Sequence, residues 1–131
     1  MKILICDSLN EKVLNELKTI GECVDISSSH KKDEDLVTEI EDAEIVVIRS
    51  GTQLDKAAID KGKSLKIIAR CGVGVDNIDV DHAKSQNISV TNSPSANLIS
   101  VVELTVSLII STARKVNLSD NHVKDGKWNR K

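Results

Sequence analysis

The stretch that decides the fold is Leu65–Asp79, which has the sequence LKIIARCGVGVDNID. Its first part, Leu65–Ala69, is largely apolar and contains two isoleucines, a composition typical of a buried strand. The strand pattern stops at Arg70, and two glycines follow it with one valine between them, Gly72 and Gly74. Such a backbone can turn sharply and present bare N–H groups to a ligand. The stretch therefore predicts a buried strand that ends in a ligand-binding loop.

Short β-branched runs recur along the whole chain, and segments with helical spacing separate them. The other predicted strands are Lys2–Cys6, Glu22–Ile26, Glu44–Ile48 and Ile88–Thr91. Apolar residues at helical spacing predict helices around Glu11–Leu17, Leu36–Ile40 and Ala57–Ile59, with Asn10, Asp33 and Asp55 as N-caps. This alternation predicts an α/β fold: a flavodoxin-like parallel five-stranded sheet of order 2-1-3-4-5, with helices on both faces.

The last quarter of the chain has a different pattern. Leu98–Ala113 is apolar and interrupted only by serine, threonine and Glu103, which predicts a helix buried around most of its circumference. A lone domain of 131 residues has little with which to cover such a helix, so we expect it to pack against another domain or a second subunit. The remaining polar segment, Asn117–Lys131, is predicted to form a short helix or arm. The predicted division is residues 1–97 and residues 98–131.

Composition excludes several classes of function. The formal net charge is -2 and both signs are interspersed, so no basic field exists that would hold nucleic acid or an anionic membrane. No apolar run approaches the roughly 20 residues of a membrane span, and Met1–Asp7 is too short for a signal peptide, so we expect a cytoplasmic protein.

Three cysteines without Cys-x-x-Cys spacing predict buried, inert thiols and no metal site, although Cys71 faces the predicted loop and could react.

Polar residues follow the predicted strands at the carboxyl ends, where ligands bind in this topology. They are Asp7 and Ser8, Arg49 and Ser50, Arg70 to Gly74, and Asn92 to Asn97. The guanidinium of Arg49 can clamp a carboxylate or a phosphate, or it can simply pair with a surface carboxylate. Asp76 and Asn77 are interpreted as turn and cap residues rather than catalysts.

Three segments together resemble the D-isomer-specific 2-hydroxyacid dehydrogenase family. They are Gly74–Asp79 with the sequence GVDNID, Arg49-Ser50-x-Thr52, and Asn92-x-Pro94-x-x-Asn97. The resemblance implies that backbone amides near Val73 hold the substrate carboxylate. The implied substrate-binding residues are Arg49, Ser50, Gly51, Arg70, Gly72, Val73, Gly74 and Asn97. Those implied to approach a nicotinamide cofactor, NAD, are Val73, Gly74 and Val101.

The segment Arg49–Thr52 is most similar to the phosphoglycerate dehydrogenase branch of the family. That resemblance implies an NAD-dependent oxidoreductase of serine biosynthesis that oxidises the CH–OH group of a phosphorylated 2-hydroxy acid, and a homodimer formed through residues 98–131. Arg70 would then neutralise a second anionic group, or it would anchor the loop by an ion pair. Asp125–Lys131 resembles the stretch before the family's dinucleotide-binding domain, and Trp128 is predicted to be a contact anchor.

The chemistry of the family is not matched within these 131 residues. No G-x-G-x-x-G fingerprint follows a strand, and the family's catalytic Arg, Glu and His have no matching positions. The three histidines, His30, His82 and His122, lie in polar surroundings and are predicted to be surface residues. We therefore expect no catalytic residue here, the dinucleotide-binding domain to be absent, and the chain to be inactive alone.

Three alternatives remain open at this point. Glyoxylate reductases and other 2-hydroxyacid dehydrogenases bind substrates that share the carboxylate and differ at the far end. A receiver domain would explain Asp7 after the first strand, although Arg49 stands where a receiver has its phosphoryl-accepting aspartate. The chain could also be an interaction module that self-associates through Leu98–Ala113.

Overall fold

The computed structural model describes residues 1–127, and Trp128 therefore lies outside the described residues. Strands and helices alternate through the first part of the chain. In chain order they are β1 (Lys2–Ile5), α1 (Glu11–Ile20), β2 (Glu22–Asp25), α2 (Lys32–Glu39), β3 (Ile45–Ile48), α3 (Lys56–Lys61), β4 (Ile67–Arg70), α4 (Val80–Ser85) and β5 (Ser89–Asn92), followed by α5 (Leu98–Ala113) and α6 (Val116–Lys124). The five strands form one parallel sheet of order β2-β1-β3-β4-β5, which confirms the predicted topology.

The sheet buries side chains on both faces, because successive residues of a strand point in opposite directions. Ile3 and Ile5 of β1 belong to a small core that is completed by α1, whereas Leu4 belongs to a larger core on the other face. The larger core also contains Leu36, Ile59 and Ala83 of the later helices, and Ile40 directly after α2. Helices on both faces are therefore confirmed.

The helix starts show where the sequence pattern was sufficient and where it was not. Asn10 caps α1 by accepting from the Lys12 N–H at 2.9 Å, and Asp55 caps α3 by accepting from the Ala58 N–H at 2.9 Å. The predicted cap at Asp33 is wrong, because α2 begins one residue earlier, at Lys32. Ser29 closes the preceding turn by accepting from the Lys31 N–H at 3.0 Å. Asp33 instead lies in the first turn, where a carboxylate stabilises the positive end of the helix dipole.

The helix α4 was not among the helices predicted from the sequence. Its six residues offer only Val80 and Ala83 as apolar contacts, which is too short a run for a clear periodicity. Its N-cap is Asp79, whose carboxylate accepts from the His82 N–H at 3.0 Å. The side chain of His82 is 14% exposed and its Nε2 lies 2.7 Å from Asp60 Oδ1 on α3, so this histidine is more covered than the surface position that the sequence predicted.

The chain divides into two compact units, Met1–Ala96 and Asn97–Lys131. The described part of the second unit consists of α5 and α6, and the predicted bounds of α5 are confirmed. Apolar residues cover every side of α5, yet none of its residues is buried, and Ile99 is 73% exposed. No helix among residues 1–127 is long and apolar enough to cross a membrane.

Candidate functional site

The loops that follow β3, β4 and β5 begin side by side at one edge of the sheet. Ile48 is the register partner of Arg70, and Arg70 is the partner of Asn92, so the three strands end level with one another. We call Arg49–Gln53 the arginine loop and Cys71–Val75 the glycine loop. The predicted residues of the first unit, from Arg49 to Gly74, all lie in these two loops or at the end of β4.

The carboxylate of Asp7 anchors the arginine loop from the core side. Asp7 is 8% exposed, and its Oδ2 accepts the Arg49 N–H at 2.6 Å. Its Oδ1 accepts the Thr52 hydroxyl at 3.1 Å and is also paired with the ammonium group of Lys32. Burial raises the pKa of this carboxyl, but the donors from Lys32, Arg49 and Thr52 outweigh burial, and the pKa is lowered overall. Asp7 is therefore an ionised structural anchor of this loop.

The side chain of Asn77 holds the same loop through its carbonyl groups. Asn77 is 4% exposed, and its Nδ2 donates to the Arg49 carbonyl at 2.8 Å and to the Thr52 carbonyl at 2.7 Å. The prediction of a cap at this position is wrong, because Asp79 caps α4. Asn77 instead ties the segment after the glycine loop to the arginine loop.

Between these two anchors, the functional groups of the arginine loop remain accessible. The side chains of Arg49 and Ser50 are exposed, and the guanidinium of Arg49 donates to the Ser8 carbonyl at 3.4 Å. Position 51 requires glycine because the Asp7 carboxylate lies close to its backbone: an added Cβ would lie 2.7 Å from Asp7 Oδ1. The loop thus has a fixed backbone and an exposed cationic side chain, an arrangement suited to binding an anion.

The glycine loop is held through its carbonyl groups, which leaves N–H groups available. The Gly72 carbonyl accepts the Ser93 N–H at 2.9 Å, and the Val73 carbonyl accepts the Asn92 Nδ2 at 2.6 Å. The N–H groups of Val73 and Gly74 donate to no acceptor within residues 1–127. Val73 is 43% exposed and Gly74 is also exposed, so both N–H groups lie in a part of the loop that a ligand can reach.

Arg70 lies against the glycine loop. An added Cβ at Gly72 would lie 1.9 Å from Arg70 Nη1, which shows that the guanidinium crosses directly over this glycine. Its Nε is buried and has no hydrogen-bond partner in the described part of the chain. Among residues 1–127, neither Arg70 nor Arg49 forms an ion pair, so the interpretation of Arg70 as an ion-pair anchor and of Arg49 as a paired surface residue is wrong.

The remaining predicted residues are two residues of the second unit and the cysteines. Asn97 precedes α5 without a side-chain capping bond, and Val101 is 51% exposed on that helix.

Cys6 is buried, and burial, followed by the nearby Asp7 carboxylate, raises the pKa of its thiol to about 12. Cys71 is exposed at the start of the glycine loop, so the prediction of a buried thiol is wrong there.

Sequence reasoning missed the contacts that Asp7 and Asn92 make at this edge of the sheet. Asp7 was given a role only under the receiver-domain alternative, although a carboxylate directly after a buried strand is itself a signal for a paired or hydrogen-bonded acid. Asn92 was noted only as part of the polar segment after the fifth predicted strand and as the first residue of the Asn92-x-Pro94-x-x-Asn97 motif. No sequence signal identifies its contact, because Val73 lies 19 positions earlier in the chain.

Comparison with known proteins identifies the same family as the motifs did. The sequence profile described as "D-isomer specific 2-hydroxyacid dehydrogenase, catalytic domain" matches residues 3–123. The chain is 43% identical over 131 residues to a D-3-phosphoglycerate dehydrogenase of Methanocaldococcus jannaschii, covering all of this chain and 25% of that protein. It is 38% identical over 121 residues to a hydroxypyruvate reductase of Thermotoga maritima, covering 92% of this chain and 40% of that protein.

A solved structure gives the same result at the level of the fold. The crystal structure of NAD⁺-bound 3-phosphoglycerate dehydrogenase from Entamoeba histolytica superimposes with a TM-score of 0.71 at 34% identity. The superposition covers 85% of this chain and 38% of that chain. The present chain therefore spans a quarter to two fifths of the length of these relatives.

Proposed function

Because the chain belongs to the D-isomer-specific 2-hydroxyacid dehydrogenase family, we propose that it is the substrate-binding part of an NAD-dependent D-3-phosphoglycerate dehydrogenase. The reaction would be the oxidation of 3-phosphoglycerate to 3-phosphohydroxypyruvate, in serine biosynthesis. The proposal is carried by two kinds of anion-binding donor at the same edge of the sheet. The backbone N–H groups of Val73 and Gly74 donate to no acceptor within residues 1–127. Neither Arg49 nor Arg70 forms an ion pair within those residues. A ligand with two anionic groups matches this set of donors.

The proposed roles follow from the donor types. The amides of Val73 and Gly74 would bind the carboxylate, since successive free N–H groups form an anion-binding concavity. Arg49 and Ser50, held by the fixed backbone next to Gly51, would orient the substrate. The guanidinium of Arg70, which crosses over Gly72, would face the phosphate. Asn97 is proposed to contact the substrate as well.

The nicotinamide cofactor would accept hydride from C2 of the acid. Val73 and Gly74 fit the approach of such a cofactor, because Val73 exposes an apolar side chain and Gly74 has no side chain to obstruct it. Val101, which is exposed on α5 of the second unit, is proposed to approach the cofactor as well. Their part would be to position the substrate, and positioning is a catalytic contribution that does not replace the proton acceptor. We therefore expect these 131 residues alone to bind substrate without turning it over.

The second unit has a separate proposed role. A helix that is apolar all round is normally buried, and α5 is exposed along its whole length. We propose that residues 98–131 form the interdomain segment and a homodimer contact, while residues 1–97 bind substrate. A cytoplasmic location is part of the same proposal.

Another 2-hydroxyacid reductase is the second candidate function. The T. maritima relative is named a hydroxypyruvate reductase, and glyoxylate reductases belong to the same class of enzyme. Such substrates share the carboxylate and lack the phosphate, so they would use the glycine loop and leave Arg70 without a ligand. The guanidinium groups of Arg49 and Arg70, which form no ion pair within residues 1–127, favour the phosphorylated substrate. A receiver domain is not favoured, since Arg49 follows β3 where the phosphoryl-accepting aspartate would stand.

The test is a comparison of three acids by NMR titration of the 131-residue chain: 3-phosphoglycerate, glycerate and lactate. We expect 3-phosphoglycerate to bind most tightly and to shift the amides of Arg49, Gly72, Val73 and Gly74. In Arg49→Ala its dissociation constant should rise about tenfold or more, because a charge-assisted hydrogen bond is lost. Arg114→Ala, which removes an arginine of the second unit, is the matched control and should leave the affinity unchanged.

Two results would contradict the proposal in different ways. Equal affinity for all three acids would favour a reductase of unphosphorylated 2-hydroxy acids. No shift at these positions with millimolar ligand would remove the claim that this chain contains a substrate site by itself.

A further inference from the structure

Hydrogen bonds to the carbonyl groups of Gly72 and Val73 fix the direction of the N–H groups of Val73 and Gly74. In a trans peptide the C=O of one residue and the N–H of the next point in opposite directions, and the described chain has no cis peptide bonds. The carbonyl groups of Gly72 and Val73 both point to the residues at the end of β5. The N–H groups of Val73 and Gly74 therefore both point away from β5, side by side.

The two carbonyl groups are held by donors of different kinds. Ser93 donates its backbone N–H to the Gly72 carbonyl, a contact that any residue except proline would provide. The Val73 carbonyl is held by a side chain, the Nδ2 of Asn92, at 2.6 Å. The orientation of the peptide between Val73 and Gly74 thus depends on the identity of residue 92. Asn92 is exposed and lies at the end of β5, so the core does not require this contact.

We propose that Asn92 is a positioning residue: its side-chain amide holds the Val73 carbonyl so that the Gly74 N–H faces the substrate carboxylate. This inference rests on the proposed function, because it takes the amides of the glycine loop as the carboxylate site. Asn92 does not contact the substrate in this scheme. It acts through a single peptide plane, and its register partner is Arg70, so it also lies beside the proposed phosphate-binding residue.

The experiment compares Asn92→Ala with the unaltered 131-residue chain by NMR, with and without glycerate. Glycerate is the probe because its carboxylate reports on the glycine loop without a phosphate contribution. In the ligand-free variant we expect a changed Gly74 amide resonance, because the peptide plane that carries this N–H is no longer held by the Asn92 side chain. The dissociation constant for glycerate should rise about fivefold, the effect of losing one well-oriented hydrogen bond.

Two further variants separate positioning from a general effect on the strand. Asn92→Gln keeps an amide donor on a longer arm and should recover part of the lost affinity. Ser89→Ala removes an exposed polar side chain from the other end of β5 and should change neither the Gly74 resonance nor the affinity. All variants should keep the urea midpoint of the parent chain, because the contact lies at the surface.

The outcomes distinguish this inference from the function on which it rests. If glycerate shifts Val73 and Gly74 in the parent chain, and Asn92→Ala binds it equally well with an unchanged Gly74 resonance, the role of Asn92 is overturned while the carboxylate site stands. If glycerate shifts neither amide in the parent chain, the carboxylate site is wrong and this inference falls with it.

Discussion

The arginine loop and the glycine loop lie at the same edge of the sheet but are held by different kinds of contact. The arginine loop is clamped by two buried side chains, Asp7 at the Arg49 N–H and Asn77 at the Arg49 carbonyl. The glycine loop is held at its carbonyl groups by a backbone N–H and by the exposed side chain of Asn92. Changes to the first set of contacts should therefore affect global stability, and changes to the second should affect local geometry alone.

The largest loss of stability is expected at Asn77, one of the two buried side chains that hold the arginine loop. Replacing it by alanine removes the donor of two carbonyl groups, a buried contact at Thr52 and a partly buried one at Arg49. We expect the free energy of unfolding of Asn77→Ala to fall by about 3 kcal/mol, within the range for a lost buried polar contact. Urea denaturation followed by circular dichroism measures this change.

The neighbouring residue provides a matched control. Asp76 is exposed in the same turn, and Asp76→Ala should change the free energy of unfolding by no more than about 0.5 kcal/mol. Similar effects of the two substitutions would mean that the arginine loop is not supported by Asn77 in the way the hydrogen bonds indicate.

A smaller effect is expected at Asp7, and it should depend on pH. Asp7→Asn keeps an acceptor for the Arg49 N–H but loses the charge that pairs with Lys32, so we expect a loss of about 2 kcal/mol at pH 7. The pKa of Asp7 is lowered in the folded chain, so the unfolded chain binds the proton more readily. This contribution is therefore fully present above the unfolded pKa of about 3.9 and is lost as the pH falls through the lower, folded value.

Urea denaturation of the parent chain and of Asp7→Asn at pH 6 and near pH 3 measures this linkage. The stability difference between the two chains should be largest at pH 6 and should shrink at the lower pH. A difference that stayed constant between the two pH values would show that the charge of Asp7 does not contribute to stability. Lys32→Gln should reproduce part of the loss at pH 6, because it removes the partner and leaves the carboxylate with its other donors.

The strand order could be predicted because it depends on local patterns and on one rule of handedness. Each predicted strand lies within two residues of the observed one; for example, Leu65–Ala69 was predicted and β4 is Ile67–Arg70. Short runs of isoleucine and valine, with polar residues after them, are sufficient to locate buried strands. With right-handed crossovers and helices on both faces, the flavodoxin-like order 2-1-3-4-5 is then the simplest arrangement of the five strands.

The contacts within the site could not be predicted, because they join segments that are distant in sequence. Asn77 donates to carbonyl groups 25 and 28 positions earlier, and Asp7 accepts from a residue 42 positions later. An asparagine in a turn has the same local pattern whether its side chain is in solvent or in a buried bridge. One of the two alternatives for Arg70, an ion pair that anchors the loop, was wrong for a related reason: whether a carboxylate lies within reach of the guanidinium depends on how the loops fold.

The smallest effect on stability is expected at Gly72 of the glycine loop, where a substitution should change ligand preference more than it changes stability. An added Cβ would meet only the flexible end of Arg70, so Gly72→Ala should lower the free energy of unfolding by less than about 1 kcal/mol. The guanidinium must nevertheless move aside. Because Arg70 is proposed to face the phosphate, the preference for 3-phosphoglycerate over glycerate should fall by about threefold or more.

The ratio of the two dissociation constants is the measurement that isolates this effect. Gly74→Ala is the control, because its added Cβ would lie 2.6 Å from Asp76 Oδ1 and within 4 Å of no atom of Arg70. That substitution should weaken both acids to a similar extent, since both use the carboxylate site, and should leave their ratio unchanged. If Gly72→Ala also left the ratio unchanged, Arg70 would not be the residue that distinguishes a phosphorylated acid, and the arginine loop alone would have to supply that selectivity.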